Sequence, residues 1–345
     1  MSLGSILFRV YNSPMAPKCS RAVCGILLAL LCSSLVAFQA PGGNGIAVVP
    51  RTRLEAPSIQ GSAPPAELRI DSSLVEIPVH VTKRDGSTVT SLVKDNFHVF
   101  EDGVEQRINY FTQDDAPLSV GVLFDASGSM HNKMKKSSEA MSTFFKTANA
   151  QDEFFLVEFS DRAKLTVPFS EDLDAITRRI AHIRPFGRTS LLDAIHLAAL
   201  QMKKAKNTRK AIVIISDGGD NRSRFTASEI KNAMVESDVQ VYAMGIFEQG
   251  DTKKLPLEEQ NGPRLLDDLA TQTGGRNYPV DNLDDLTSIS ERISRDLRNE
   301  YLIGYSPVNV ARDGKYRQIR LQVSAPPELP ELRTYYRRGY YAPIQ

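Results

Sequence analysis

Three oxygen-bearing side chains stand at alternate positions directly after a largely apolar run, residues 118–124. They are Asp125, Ser127 and Ser129. An apolar run of this length indicates a buried strand, and ligands bind at the carboxyl ends of strands in open α/β sheets. A carboxylate and two hydroxyls spaced in this way in a turn can direct their oxygens at one point, which suits a hard divalent cation. The segment therefore predicts a cation site.

Two later segments carry further oxygen ligands. Thr189 stands just before a helical pattern, and Asp217 follows a second buried strand. Each residue also has an ordinary structural explanation. Ser129, Thr189 or Ser190 could be a helix N-cap, and Asp217 with Gly218 could form only a strand-ending turn. The residue types alone leave both interpretations open.

The combined pattern resembles the metal-ion-dependent adhesion site, MIDAS, of von Willebrand factor type A (VWFA) domains. In that family the serine and threonine hydroxyls reach the cation, and the two aspartates hold its water ligands. All five matching positions are occupied here, in order, on three strand-end loops, and coincidence does not explain this. The resemblance implies a metal site made of Asp125, Ser127, Ser129, Thr189 and Asp217.

One position departs from the family pattern. Arg188 stands where a second glycine often precedes the threonine. An arginine beside the cation would either weaken metal binding or help to attract an acidic partner. Both consequences stay open from the sequence.

The resemblance also implies how such a site would act. Two carboxylates that act mainly through water leave a divalent ion incompletely neutralised, so a carboxylate of a partner can complete its coordination shell. Mg²⁺ fits a water-rich shell of this kind, Mn²⁺ has similar preferences, and Ca²⁺ is an alternative. We therefore expect a metal-dependent protein-binding or adhesion module that recognises a carboxylate of a protein or other macromolecule, and not an enzyme.

Two other functions compete with this one. The first is an envelope assembly or structural factor in which the metal stabilises the fold. The second is a metal-dependent hydrolase, with Asp125 as nucleophile or a metal-activated water. A phosphatase would need a second acid two residues after Asp125, where Ser127 stands, and Ser127 lacks a Gly-x-Ser-x-Gly elbow.

Among the histidines, only His131 is close to the site in sequence. The formal net charge of +1 gives no basis for nucleic-acid binding.

The fold expected around the site is α/β. Strand and helix patterns alternate over residues 118–298, which indicates a doubly wound, mostly parallel sheet of the VWFA or Rossmann-like type. The five-residue connection between the strand patterns at residues 154–159 and 165–169 is too short for a parallel crossover. One antiparallel edge strand is therefore predicted.

Strand patterns also flank the α/β region. Alternating apolar residues and Asp-Gly turns indicate a small β unit before it, with one hairpin turn at Asp102-Gly103 between residues 97–100 and 108–111. We expect a C-terminal hairpin, formed by residues 316–323 and 332–341, to join this unit in a β sandwich. Residues 97–103, 300–307 and 338–342 resemble segments of the acidobacterial-type VWFA-related family of exported proteins.

The amino terminus predicts export. Basic residues precede an apolar stretch, residues 22–31, and small residues follow near Ala40, as in a secretory signal. Met15 as the start, retention as a signal anchor, and a lipoprotein Cys32 are the alternatives. The expected location is periplasmic, cell-surface or secreted, with membrane contact only through an uncleaved amino-terminal segment. The predicted parts are a signal peptide (1–40), a Pro/Gly-rich linker (41–65), an N-terminal β unit (66–115), a VWFA domain (116–298) and a C-terminal β hairpin (299–345).

Overall fold

The structure is a computed structural model that describes residues 74–113, 115–247, 261–327, 329 and 331–344. The predicted signal peptide and linker lie outside these residues. The strands are β1 (Val75–Lys83), β2 (Phe97–Glu101), β3 (Val104–Gln106), β4 (Ile108–Thr112), β5 (Leu118–Asp125), β6 (Glu153–Phe159), β7 (Ala163–Ser170), β8 (Arg209–Ser216), β9 (Gln240–Ile246), β10 (Asn277–Val280), β11 (Tyr301–Tyr305), β12 (Tyr316–Val323), β13 (Leu332–Tyr335) and β14 (Gly339–Tyr341). The helices are α1 (Met134–Phe145), α2 (Leu173–Ala181), α3 (Leu191–Met202), α4 (Ala227–Ser237), α5 (Gly262–Thr273) and α6 (Leu286–Arg298).

A six-stranded sheet forms the centre of the α/β region, in the order β10-β9-β8-β5-β6-β7. Its neighbouring strands are parallel except for β7, which runs antiparallel to β6 at one edge. Every residue of β5 and β9 is buried, whereas β7 is partly exposed along its whole length. Continuous apolar sequence thus produces strands covered on both faces. The predicted fold class, including the antiparallel edge strand, is confirmed.

Helices cover both faces of this sheet. On one face, Met141 of α1, Ile176 of α2 and Ile293 of α6 belong to the same buried cluster as Val122 of β5. The other face is covered by α3, α4 and α5, whose apolar side chains pack with those of β5, β6 and β8. The two layers bury the sheet completely around β5.

The order of the strands creates a crevice beside β5. The chain passes from β5 to β6 on one side, and β8 pairs with β5 on the other side. The connections therefore leave the carboxyl ends of β5 and β8 in opposite directions, which is the switch-point geometry at which α/β sheets bind ligands. Asp125 is the last residue of β5, and Asp217 follows the last residue of β8.

The remaining strands form two four-stranded antiparallel sheets, in the orders β13-β1-β11-β4 and β14-β12-β2-β3. Each sheet combines strands from both ends of the described chain. Ile77, Val99, Ile303 and Ile319, one from each of the four central strands, share one buried cluster. The two sheets therefore pack as a sandwich.

The first sheet-changing connection differs from the expected hairpin. Asp102 and Gly103 have positive φ angles of 47° and 85°, as a two-residue hairpin turn requires. The turn connects β2 to β3, however, and not to β4. The ladder breaks after Gln106, and β4 pairs with β11 in the other sheet. This crossing brings Ile108 into the sandwich core.

The C-terminal hairpin also divides. β14 pairs with β12, whereas β13 pairs with β1 in the opposite sheet. The chain changes sheets at residues 336–338, where Tyr336 is buried in the sandwich core and its hydroxyl accepts the N–H of Leu321 at 3.0 Å. Anchoring of this side chain separates the two short strands. A uniform hairpin over residues 316–341 was the wrong expectation.

A buried polar network lies at the amino-terminal end of β8. The Arg209 guanidinium donates to Glu300 at 2.8 Å, and Gln240 donates to the other carboxylate oxygen of Glu300 at 2.7 Å. Nearby, Asp296 of α6 lies 2.9 Å from His80 of β1 and 2.8 Å from Arg276. These contacts connect α6 to the central sheet and to the sandwich.

None of the helices in the described ranges is long and apolar enough to cross a membrane.

Replacement of Gly275 should destabilise the protein more than replacement of Gly103. A Cβ at Gly275 would lie 2.1 Å from the carbonyl oxygen of Val241 in β9, so backbone would have to move. We expect Gly275→Ala to cost about 2–3 kcal/mol. A Cβ at Gly103 would meet no atom within 4 Å, so Gly103→Ala should cost only the strain of its positive φ, about 1 kcal/mol. Urea unfolding of both variants measures their losses in unfolding free energy. Equal losses would contradict the expected order.

Candidate metal site

Asp125 is fully buried at the carboxyl end of β5 and is held through both oxygens. Its Oδ1 accepts the backbone N–H of Ser127 at 2.8 Å, and its Oδ2 accepts the hydroxyl of Ser216 at 2.5 Å. Ser216 Oγ in turn accepts the N–H of Gly218 at 3.0 Å. The last residue of β8 therefore orients the carboxylate at the end of β5.

A second carboxylate, that of Asp217, affects the ionisation of Asp125. Burial, followed by the negative charge of Asp217, raises the pKa of Asp125 to about 7, against the opposing effect of the hydrogen bonds from Ser216 and Ser127. The partly exposed Asp217 carboxylate thus lies close enough to act on the buried carboxylate of Asp125. A positive charge between them would relieve this repulsion.

The two serine hydroxyls meet beside Asp125. Ser127 Oγ and Ser129 Oγ are 3.0 Å apart. Ser127 is buried, and Ser129 belongs to the short 3₁₀ turn Gly128–Met130 that follows β5. Neither serine caps this turn or α1 through its side chain. The simple N-cap interpretation of Ser129 is therefore wrong, and both hydroxyls remain available as oxygen ligands.

Thr189 is buried on the loop before α3. Its N–H donates to the side-chain oxygen of Asn221 at 3.0 Å, and the N–H of Asn221 donates to the carbonyl of Thr189 at 3.1 Å. Two further backbone bonds, from Gly128 to the Gly187 carbonyl and from Phe186 to the Ala126 carbonyl, join this loop to the loop after β5. The structure thus holds the three predicted loops together.

Sequence reasoning missed three residues that shape the site. Ser216 orients Asp125, Asn221 holds the Thr189 loop, and Lys133 places its ammonium 3.3 Å from Asp217 Oδ2 with its own side chain only 6% exposed. A hydroxyl at the end of β8 was the one visible signal, because Ser216 directly precedes Asp217. The spacing of Lys133 and Asn221 gave no comparable signal.

The residues present suit a hard cation. The candidate ligands are carboxylate and hydroxyl oxygens, which Mg²⁺, Mn²⁺ and Ca²⁺ prefer. The described residues contain no group of three or more His, Cys, Asp or Glu side chains arranged for a metal. Asp125 is buried beside the negative charge of Asp217, so a positive charge is favourable here, and Lys133 places one beside Asp217. The five predicted ligands remain a prediction.

In the absence of metal, the Asp125→Asn variant should be more stable than the wild type, and this difference in unfolding free energy should grow as pH rises. Because the pKa of Asp125 is raised in the folded state, from 3.8 to about 7, the folded protein binds the proton more tightly than the unfolded chain does. Stability of the wild type from this group is therefore lost between about pH 4 and pH 7. Asparagine removes that dependence, and we expect a gain of at least ~1 kcal/mol at pH 8 in chelator.

Urea unfolding in EDTA at pH 4, 6 and 8 measures this gain. The advantage of Asp125→Asn over the wild type should grow with pH. A variant that is less stable than the wild type at pH 8 without metal would show that Asp125 is satisfied by the protein alone.

The part of the chain that carries these residues also matches known proteins. The family model for the von Willebrand factor type A domain matches residues 120–219, which include all five predicted ligands. An uncharacterized protein of Borreliella burgdorferi is 23% identical over 188 residues, covering 48% of this chain and 55% of that protein. Inter-alpha-trypsin inhibitor heavy chain H2 of Sus scrofa is 27% identical over 154 residues, covering 39% of this chain and 16% of that protein. The chain thus spans about half of the first relative and a small part of the second.

Two solved structures are also similar. Proximal thread matrix protein 1 from the mussel byssus, with a zinc occupied MIDAS motif, has a TM-score of 0.46 at 19% identity and covers 57% of this chain and 49% of that one. A von Willebrand factor type A protein from Catenulispora acidiphila has a TM-score of 0.45 at 12% identity, covering 80% and 75%.

The matched residues lie within the doubly wound sheet, and they include both strand ends and all three loops of the site. Residues 120–219 thus carry the family match and the site together. The chain contains a von Willebrand factor type A domain.

Proposed function

We propose that this chain is an exported protein-binding module whose VWFA domain binds a divalent cation and uses it to recognise a carboxylate of a partner. The observation that carries the proposal is the convergence of two carboxylates, Asp125 and Asp217, at a buried strand-end crevice lined by the paired hydroxyls of Ser127 and Ser129. Such an arrangement is costly without a cation and favourable with one. The amino-terminal basic and apolar pattern supports export.

A bound divalent cation would supply a coordination position that a carboxylate oxygen of the partner can fill. Ser127, Ser129 and Thr189 would bind it through their hydroxyls, and Asp125 and Asp217 would hold its water ligands. Mg²⁺ is the cation we propose first, with Mn²⁺ and Ca²⁺ as the alternatives.

The protein fixes these groups before any ligand arrives. Ser216 and the Ser127 N–H orient Asp125, while Lys133 orients Asp217. Lys133 also removes part of the negative charge that would otherwise compensate the cation. The incompletely compensated cation therefore retains attraction for an anionic group on the partner.

The surface around the crevice suits a macromolecular partner. Phe186 is 61% exposed on the loop that carries Thr189, and Arg188 is exposed two residues further on. An exposed aromatic ring next to a cationic side chain is typical of protein-binding residues. Arg188, the departure from the family pattern, would then attract an acidic partner.

A hydrolase fits these residues less well. Asp125 is fully buried and its two oxygens already accept the Ser127 N–H and the Ser216 hydroxyl, so its carboxylate is poorly accessible to a substrate as a nucleophile. His131 is exposed just after the turn that carries Ser129, and the structure places no acid partner beside it within the described residues. A binding role requires none of these groups to react.

A purely structural role of the cation is the second candidate. The buried repulsion between Asp125 and Asp217 means that a cation would also stabilise the fold. The two roles predict different consequences of metal loss. Loss of a structural cation changes stability alone, whereas loss of a recognition cation also abolishes partner binding.

Calorimetric titration of Mg²⁺ and Mn²⁺ into the protein tests the proposed site. We expect saturable binding to the wild type and at least about tenfold weaker binding to Asp125→Ala and Thr189→Ala, because each removes a ligand or its orienting group. Asp267→Ala, which removes an exposed acid from α5, is the matched control and should bind as the wild type does.

Equal binding by all four proteins would place the cation elsewhere. No binding by the wild type, together with an unfolding midpoint that EDTA leaves unchanged, would contradict both the recognition role and the structural role.

A further inference from the structure

A large open cleft lies beside the candidate metal site. Its volume is about 1000 Å³, and three elements line it: the turn between β6 and β7, the exposed side of α3, and the loop after β8. It is large enough for several residues of an extended peptide. The metal ligands themselves do not line it.

The cleft is nevertheless continuous with the loops of the metal site. On one wall, the Asp161 carboxylate accepts the N–H of Arg188 at 2.9 Å, one residue before Thr189. On the other wall, Asn221 precedes Arg222 and holds Thr189 through two hydrogen bonds. A partner bound at the metal would therefore have the cleft directly next to it.

The cleft has a small excess of positive charge, with three arginines against two aspartates. Arg162, Arg222 and Arg224 line it together with two acids, Asp161 and Asp193. Both acids already accept hydrogen bonds within the protein. Asp161 accepts the N–H of Arg188, and Asp193 accepts the backbone N–H of Arg224 at 2.8 Å and its guanidinium at 3.2 Å. Among the described residues, no carboxylate forms a salt bridge with Arg162 or Arg222, and both arginines are exposed.

An apolar surface accompanies these charges. The rings of His196 and Phe225 stack at 4.0 Å between their centroids, with an interplanar angle of 29°. Leu200, one turn further along α3, is 46% exposed at the edge of the cleft. An aromatic pair and an exposed leucine beside two guanidinium groups without a salt bridge to any described residue match a ligand that carries both apolar and acidic side chains.

We propose that this cleft binds an acidic peptide segment of the partner, adjacent to the carboxylate that the metal coordinates. Arg162 and Arg222 pair with a second carboxylate of that segment, and His196, Phe225 and Leu200 contact an apolar side chain. This inference rests on the proposed function of the metal site. It adds that the ligand contains at least two acidic residues with an apolar residue near the second.

Selection from a random dodecapeptide library displayed on phage tests the cleft, because the spacing of the acids need not be known beforehand. Selection is carried out on the immobilised full chain in Mg²⁺, and enriched peptides are synthesised and measured by fluorescence anisotropy. We expect peptides with two or more acidic residues and an apolar one. Arg162→Gln/Arg222→Gln should weaken their binding about tenfold, whereas Arg107→Gln/Arg333→Gln, which removes two exposed charges from the sandwich, should change it less than twofold.

Two outcomes distinguish the proposed peptide site in the cleft from the proposed metal site. If EDTA abolishes peptide binding but Arg162→Gln/Arg222→Gln leaves it unchanged, the peptide site is wrong and the metal site stands. If EDTA leaves peptide binding unchanged but the arginine variant weakens it, the cleft is an acidic-peptide site and metal-dependent recognition is wrong. Enriched peptides without a second acid, or no enrichment, overturn the cleft. Binding of heparin through Arg162 and Arg222 without any peptide enrichment would also overturn it and assign the cleft to a polyanionic polysaccharide.

Discussion

The structure depends on two like charges, one fully buried and one partly buried, at the ends of two neighbouring strands. Asp125 and Asp217 lie at the ends of β5 and β8, which pair in parallel at the point where the strand order changes direction. Burial and the mutual repulsion of these carboxylates oppose ionisation of Asp125. Ser216, the Ser127 N–H and Lys133 offset part of this cost. A carboxylate buried beside a like charge is costly, and a positive charge between the two groups would offset that cost.

The rest of the fold keeps this crevice rigid. Helices on both faces bury β5 along its whole length, so the end of the strand has a fixed position. At the opposite end of the sheet, Arg209, Glu300 and Asp296 connect the sheet to α6 and the sandwich. Binding residues are often carried by loops on a rigid scaffold of this kind. The arginine-lined cleft beside Thr189 is lined in part by such loops.

The parts that the sequence predicts are those with a strong local signal. Long apolar runs and helical periodicity indicate the doubly wound sheet, and the short β6–β7 connection indicates its antiparallel edge. In the sandwich, the long strands β1 and β12 show clear alternation, whereas β3, β13 and β14 have only three or four residues each and carry weaker signals. The chain changes sheets after Gln106 and near Tyr336 for reasons of tertiary packing that no local pattern contains. For the same reason, the spacing of Lys133 and Asn221 gave no sign that they contact Asp217 and Thr189, and the pairing of the cleft acids with backbone N–H groups was not predictable.

The most direct test of the central claim is a crystal structure of the protein grown in Mn²⁺, with anomalous diffraction data recorded to locate the metal. We expect a single strong anomalous peak in the crevice between Asp125 and Asp217, within coordination distance of the hydroxyls of Ser127, Ser129 and Thr189, about 2.0–2.6 Å for hard divalent cations. A crevice without a metal peak, in which the Lys133 ammonium lies between the two carboxylates, would contradict this expectation. The protein would then neutralise these carboxylates without a metal.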